Sequence, residues 1–172
     1  MKRFFAVKII FVLTFFVSAF SFHKVEKTIL SKVVCDQIPE LNQKLIDFVK
    51  SNLNKKVGRG ECWDLAAQGL NTIGANWDKN YVFGKEINLK KECVYPGDII
   101  QFEGVKIEYK KKNTTYWEEV DHHTAIVFKV NDKESFIMAE QNTSVLGKKV
   151  GLSALELKNI LKGSYKVFRP VK

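Results

Sequence analysis

Arginine is scarce in this chain. Of 28 basic residues, 25 are lysine and only Arg3, Arg59 and Arg169 are arginine. That bias reads as composition rather than recognition, because no nucleic-acid-binding motif accompanies the positive charge. No nucleic-acid partner is expected. Cysteine is scarce as well, with only Cys35, Cys62 and Cys93. In an oxidising compartment an odd number leaves one thiol unpaired or pairs it between chains. A Cys35–Cys93 bridge would leave Cys62 free; three free thiols are the alternative. There is no internal repeat and no low-complexity segment. No metal-ligand spacing stands out either: Asp121, His122 and His123 are consecutive, and consecutive strand residues do not converge on one ion. No metal and no cofactor is expected.

A membrane-spanning length is also lacking. The apolar run Ile9–Phe20 has 12 residues, broken only by Thr14 and Ser18, whereas a span takes about 20. With Lys2 and Arg3 ahead of it and small residues at Ala19 and Ser21 behind, it reads as a signal peptide over residues 1–21, cleaved after Ser21. The expectation is an exported protein, periplasmic or secreted, with no stable membrane insertion after cleavage. Lys2, Arg3 and Lys8 leave with the signal, and 25 basic against 19 acidic residues then give a charge of +6. Such a charge favours solubility and can draw a protein to anionic surfaces. The remaining length buries about two-thirds of its unfolded surface, so a disulfide framework is not required.

Residues 22–37 are a polar lead-in. After them Ile38, Leu41, Leu45, Phe48, Val49 and Leu53 fall at helical spacing, with Pro39 suited to the first turn. A second helix is predicted from Cys62, where Leu65, Ala66, Gly69, Leu70 and Ile73 recur at three and four. Ala66 and Gly69 make one stripe small enough for another element to approach, and Gly74 ends the helix. Residues 75–95 read as irregular, anchored by Trp77, Tyr81 and Phe83. Ile99–Phe102 begins a strand, Glu103-Gly104 reads as a tight turn, and Val105, Ile107 and Tyr109 alternate. Lys110–Val120 reads as a polar mobile loop. "HHTAIVFKV" is a strand, Asn131-Asp132 a turn, and "SFIMAEQN" the partner strand. "SALELKNILKG" reads as a short helix capped by Ser153 and Glu156, and "SYKVFRPV" as a last strand. Helices followed by a mainly antiparallel sheet make an α+β fold.

One cysteine is placed for chemistry. In "GRGECWDLAAQGL" Cys62 sits at a helix N-terminus, where unpaired N–H groups and the helix dipole lower a thiol pKa. Its own N–H can face a developing oxyanion. Gly58 and Gly60 read as clearing the approach for a substrate backbone. His123 opens a strand. If it faces Cys62, Ala125 and Val127 share its side while His122 and Thr124 turn away. A histidine beside a thiol forms a thiolate–imidazolium pair and later protonates a leaving amine. Glu140 and Asn142 are two apart on the next strand, so either can accept the second imidazole N–H, while Gln141 points the other way.

The segments "GECWDLA", "PGDIIQF", "HHTAIV" and "AEQN" together resemble CHAP domains (cysteine, histidine-dependent amidohydrolases/peptidases), relatives of the NlpC-type peptidases in the papain-like superfamily. "GRGECWDLA" is as similar to the cysteine-proteinase-fold domain of certain fungal actin-patch proteins. The likeness covers about residues 38–170, and the domain is assigned to 38–172. It implies a papain-like fold, N-terminal helices packed on the sheet, Cys62 as nucleophile, His123 as base, and orienting roles for Glu140 and Asn142. Asp98, in the "GD" of that pattern, reads as a structural turn residue. Two departures stand out. His122 occupies the position that is usually glycine in CHAP domains, and no separate cell-wall-binding domain is expected. The function implied is an exported thiol amidohydrolase or peptidase acting on a peptide or on peptidoglycan. The alternatives are a binding module that keeps the fold without turnover, and a structural or defensive protein whose thiols pair between chains. "NTT" at Asn113 and "NTS" at Asn142 are glycan acceptors in a suitable host, and a glycan on Asn142 would block the site.

Overall fold

A computed structural model describes Cys35, residues 37–111 and residues 113–172; the segment read as a signal peptide lies outside these. Two helices, α1 (Glu40–Asn52) and α2 (Cys62–Thr72), precede the strands β1 (Lys85–Glu86), β2 (Ile99–Lys111), β3 (Thr114–Asp132), β4 (Ser135–Glu140), β5 (Gly151–Glu156) and β6 (Ile160–Arg169). The six strands form one sheet in the order β1-β6-β2-β3-β4-β5, with every neighbouring pair antiparallel. This is the mainly antiparallel sheet with two helices expected from the sequence. Among the described residues no helix is long and apolar enough to cross a membrane.

The helices form where the apolar spacing put them. Pro39 stands at the N-cap of α1, where a missing N–H costs nothing. Leu45, Val49, Leu65 and Leu70 have essentially no exposure, and burying each such side chain contributes about 1.5–3 kcal/mol. They share one core cluster with Ile99, Ile126, Ala139 and Phe168 of the sheet. Gly69 is the close-approach point anticipated in α2: a Cβ there would lie 2.4 Å from a methyl of Leu45. A second cluster contains Ile100, Phe102, Ala125, Val127, Met138 and Val167 and no residue of either helix. The alternation Ile99/Ile100 and Ile126/Val127 thus assigns the two faces of the sheet to two cores.

Three sequence expectations are corrected. Glu103-Gly104 is not a chain reversal. Gly104 takes φ 55° and β2 runs straight through it, with the register against β6 shifting between Glu103 and Lys106. The left-handed residue is absorbed as a bulge, which bends a strand without ending it. Lys110–Val120 is not a loop. Most of it is the first half of β3, paired residue by residue with β2 from Lys111↔Thr114 to Val105↔Val120. Cross-strand contacts hold this arm: Tyr109 stacks on Tyr116 at 5.5 Å and Lys106 pairs with Glu119 at 2.9 Å, so its polarity reflects exposure on a ribbon. "SALELKNILKG" is not a capped helix. Ser153 pairs with Met138 in the β4–β5 ladder, Glu156 accepts a hydrogen bond from Ser135, and only Leu157–Asn159 make a single 3₁₀ turn. The β3–β4 reversal also falls at Lys133–Glu134, just beyond the expected Asn131-Asp132.

Asp98 is the structural residue it was taken for. Its carboxylate is fully buried and accepts hydrogen bonds from Asn42 Nδ2 at 2.8 Å, the Tyr95 N–H at 2.9 Å and the Arg169 guanidinium at 2.8 and 3.1 Å. Burial pushes its pKa up, against the lowering effect of those donors. Arg169 also donates to the Cys93 carbonyl and lies over the Tyr95 ring at 4.7 Å. One buried pair therefore ties α1, the segment before β2 and the end of β6. Cys93 in that segment is disulfide-bonded to Cys35, and Cys62 is the free cysteine.

Two outcomes follow. Asp98→Ala strands a largely buried guanidinium and should lower the unfolding free energy by about 3–5 kcal/mol in urea titration. Denatured, unreduced protein should take up one alkyl group, on Cys62, and three after reduction, as mass spectrometry will count.

Candidate active site

The site is built where a ladder stops. In the β3–β4 pairing Ile126 faces Ala139, so Thr124 would face Gln141, one residue past the end of β4. The N-terminus of α2 fills that place, and the Thr124 N–H hydrogen-bonds the Cys62 thiol. His123, on the same face as Ala125 and Val127, hydrogen-bonds the thiol from its side. His123 Nε2 lies 2.8 Å from Glu140 Oε2, which leaves Nδ1 for the sulfur. The imidazole is 8% exposed and is flanked by the Phe102 ring, nearly parallel at 6.4 Å.

The electrostatics follow from these contacts. Burial opposes a charge on His123, but the hydrogen bonds and negative charges of Cys62 and Glu140 outweigh it and push its pKa up to about 9. Burial likewise opposes a thiolate at Cys62. The hydrogen bond and charge of His123 and the N–H groups of Thr124 and Trp63 overcome it, and the thiol pKa falls. Both shifts favour the thiolate–imidazolium form of the pair over the neutral one. The pair sits at a groove of about 930 Å³ that runs along the second face of the sheet, floored by Phe102, Val105, Ile107 and Met138.

A family model for the AIM3/BBC1 cysteine proteinase-fold domain matches residues 37–172. The chain belongs to this family. Of the two resemblances read from the sequence, the actin-patch type is the one matched. Two solved structures are similar. "The crystal structure of Ly7917" shares 14% identity over 74% of this chain, with a TM-score of 0.46. "The crystal structure of Ly7917 with the hydrolyzing product of MDP" shares 16% over 75%, with a TM-score of 0.48. The match covers 62% of each of those chains. No curated protein matches by sequence.

In this AIM3/BBC1-type domain the motif "AEQN" divides its work. Glu140 meets the imidazole. Asn142 does not: β4 ends at Glu140, Asn142 takes φ 63°, and its Nδ2 donates to Glu61 Oε2 at 2.7 Å. Glu61 also receives Lys148 Nζ at 3.1 Å. Gln141, fully buried, donates to the carbonyls of Val57 and Glu61 at 2.9 and 2.8 Å and accepts from the Val57 N–H. It thereby fixes the turn that delivers Cys62.

The glycine loop serves the fold. A Cβ on Gly58 (φ 58°) would lie 2.6 Å from Gln68 Nε2 and 3.0 Å from Asp64, and one on Gly60 (φ 88°) would lie 2.8 Å from Lys148 Cβ. The chain itself, not a substrate approach, occupies those spaces. Asp64 is the organiser that sequence reasoning passed over. It accepts from the Arg59 and Glu61 N–H groups at 2.7 and 3.3 Å and pairs with the Arg59 guanidinium at 2.8 Å. The signal was present: an acidic residue three positions after Glu61 is a capping-box spacing. Gln101 was also missed. Buried, it accepts from Thr124 Oγ1 at 2.6 Å, steadying the residue whose N–H holds the thiol.

His122 turns to the other side. Its Nδ1 lies 2.8 Å from Glu103 Oε2 and its ring meets the Tyr81 edge at 4.2 Å. The residue in the usual glycine position thus leaves the Cys62–His123 contact open. Among the described residues no group of three His, Cys, Asp or Glu side chains is placed to hold a metal ion.

The thiolate gives a direct test. In native protein the pH dependence of Cys62 reaction with iodoacetamide should lie below the ordinary thiol range near pH 8.5. In His123→Ala the half-maximal rate should move up in pH, because burial remains while the cation and its hydrogen bond are gone. A pH profile unchanged by that substitution would contradict the assignment.

Proposed function

We propose that the protein is an exported thiol-dependent amidohydrolase or peptidase of papain-like fold. The reading rests on one observation above all: the hydrogen-bonded series Cys62–His123–Glu140, with an acidified thiol and a basic imidazole at the mouth of a groove. The helix-to-strand order of these residues and the cysteine proteinase-fold family support it. The substrate class is a peptide, with peptidoglycan stem peptides included. Residues 1–21 serve as the export signal and 22–37 as a lead-in to the domain at 38–172, with the mature protein periplasmic or secreted.

The chemistry is as follows. The Cys62 thiolate attacks the carbonyl carbon of an amide, forming the C–S bond and a tetrahedral oxyanion. The Cys62 N–H, unpaired within the helix at its first turn, faces that oxyanion. On collapse the C–N bond breaks and His123 Nδ1–H protonates the departing amine. The neutral imidazole then takes a proton from water, whose oxygen attacks the thioester and releases the acid and the thiolate. In the thiolate–imidazolium form that the shifts favour, no thiol proton has to be removed in the attacking step. Glu140 fixes the ring and stabilises its positive charge. Asn142 acts on the loop through Glu61 and not on the imidazole.

Purified protein incubated with a peptide panel and with peptidoglycan, and analysed for new amines by mass spectrometry, tests this. Cys62→Ala should end turnover while leaving thermal unfolding in place, and Glu140→Gln should lower kcat roughly 10²-fold. The kcat/KM profile should be bell-shaped. Its rising limb follows the lowered Cys62 thiol. Its falling limb lies at about pH 9, where the imidazolium that protonates the leaving amine is lost. Binding without any new amine, unchanged by Cys62→Ala, would identify a binding module instead.

A further inference from the structure

The groove at Cys62 differs in charge from the molecule that contains it. The chain carries 28 Lys and Arg against 19 Asp and Glu. Yet among the described residues the groove is lined by five carboxylates (Glu118, Glu119, Asp121, Glu140 and Glu156) and by no lysine or arginine. Three of the five are engaged: Glu119 with Lys106, Glu140 with His123 and Glu156 with Ser135. Among the described residues the other two have neither an ion pair nor a close hydrogen bond. Glu118 meets only Ser144 Oγ, at 3.5 Å. Asp121 falls between the pairs Glu103↔His122 and Val105↔Val120, opposite Gly104, which offers no side chain to cover it.

Their setting is an apolar groove. Glu118 stands across the ladder from Ile107, so its row on β3 borders the apolar floor of Val105, Ile107 and Met138. A concave surface with low-dielectric walls focuses the potential of its charges, and a cation entering it would relieve the repulsion between them. Anionic groups would meet that repulsion and find no lysine or arginine among the described lining residues.

We propose that the groove selects peptides carrying a basic side chain next to an apolar one, with Glu118 and Asp121 receiving the cation and the Val105–Ile107–Met138 floor the apolar neighbour. This rests on the reading of Cys62 as a peptide-cutting thiol only in identifying the ligand as a peptide. The two carboxylates are specificity-determining residues and take no part in bond breaking.

The test is binding, kept apart from turnover. Full-length protein carrying Cys62→Ala is titrated, by fluorescence anisotropy, into two labelled peptides of equal length and apolar content. One carries lysines and the other glutamates at the same positions. The lysine peptide should bind about tenfold tighter. The gap should narrow between about 0.05 M and about 0.5 M salt. It should vanish on adding Glu118→Gln with Asp121→Asn, and survive Glu119→Gln, whose carboxylate is already paired. Equal binding, a preference for glutamate, no binding of either peptide, or a preference that outlasts the double substitution would each overturn the inference. Failure of the hydrolase reading looks different: the lysine preference would stand while wild-type protein cut neither peptide.

Discussion

Everything at the site depends on where β4 stops. Had the strand continued past Glu140, the Thr124 N–H would have been closed by a ladder carbonyl. The chain instead turns left-handed at Asn142, and the sulfur of Cys62 takes the vacated hydrogen-bonding position. A buried N–H must find an acceptor, and here the acceptor is the Cys62 sulfur. Gln141 holds the substitution in register. Its amide bonds the backbone at Val57 and Glu61, so the helix terminus and the strand terminus are fixed to each other by one fully buried side chain.

That arrangement explains how charge is managed. The thiol and the imidazole are both substantially buried, which by itself disfavours charge on either. Each favours the charged form of the other, with Glu140 adding a negative charge beyond the ring and Thr124 and Trp63 adding N–H donors beside the sulfur. The α2 terminus is itself held by Asp64 and Glu61, and Glu61 is bound in turn by Asn142 and Lys148. Much of the polar machinery around Cys62 therefore positions the thiol. At the start of β2 the buried Asp98–Arg169 pair plays the corresponding structural role, joining α1 to the end of β6 through Asn42.

Legibility from sequence followed the physical range of the forces involved. The helices were readable because a 3.6-residue apolar period records burial on one face, as at Leu41, Leu45 and Val49. The central strands were readable because Ile99, Ile100, Ile126 and Val127 lie between two cores. The outer half of the β2–β3 arm was not. Its residues bury little, and their strand state comes from partners across the ladder such as Tyr109 with Tyr116. "SALELKNILKG" failed for a related reason. Its helical spacing and capping pattern are real local preferences, and they lose to the β4 edge, which pairs with Gly151–Glu156 and takes Leu155 and Leu157 into the second core.

The sequence by itself determined which residue types could do the chemistry and in what order they would be presented: a cysteine opening a helix, a histidine opening a buried strand, an acid at the end of the next. Those are consequences of local periodicity and of two-residue strand alternation. Only the tertiary structure decided which of Glu140 and Asn142 reaches the imidazole, which way His122 turns, that Gly58 and Gly60 make room for Asp64 and Lys148, and that Cys35 and Cys93 are bridged rather than free. Most of those outcomes are set by contacts between residues far apart in the chain, where no local preference carries the information.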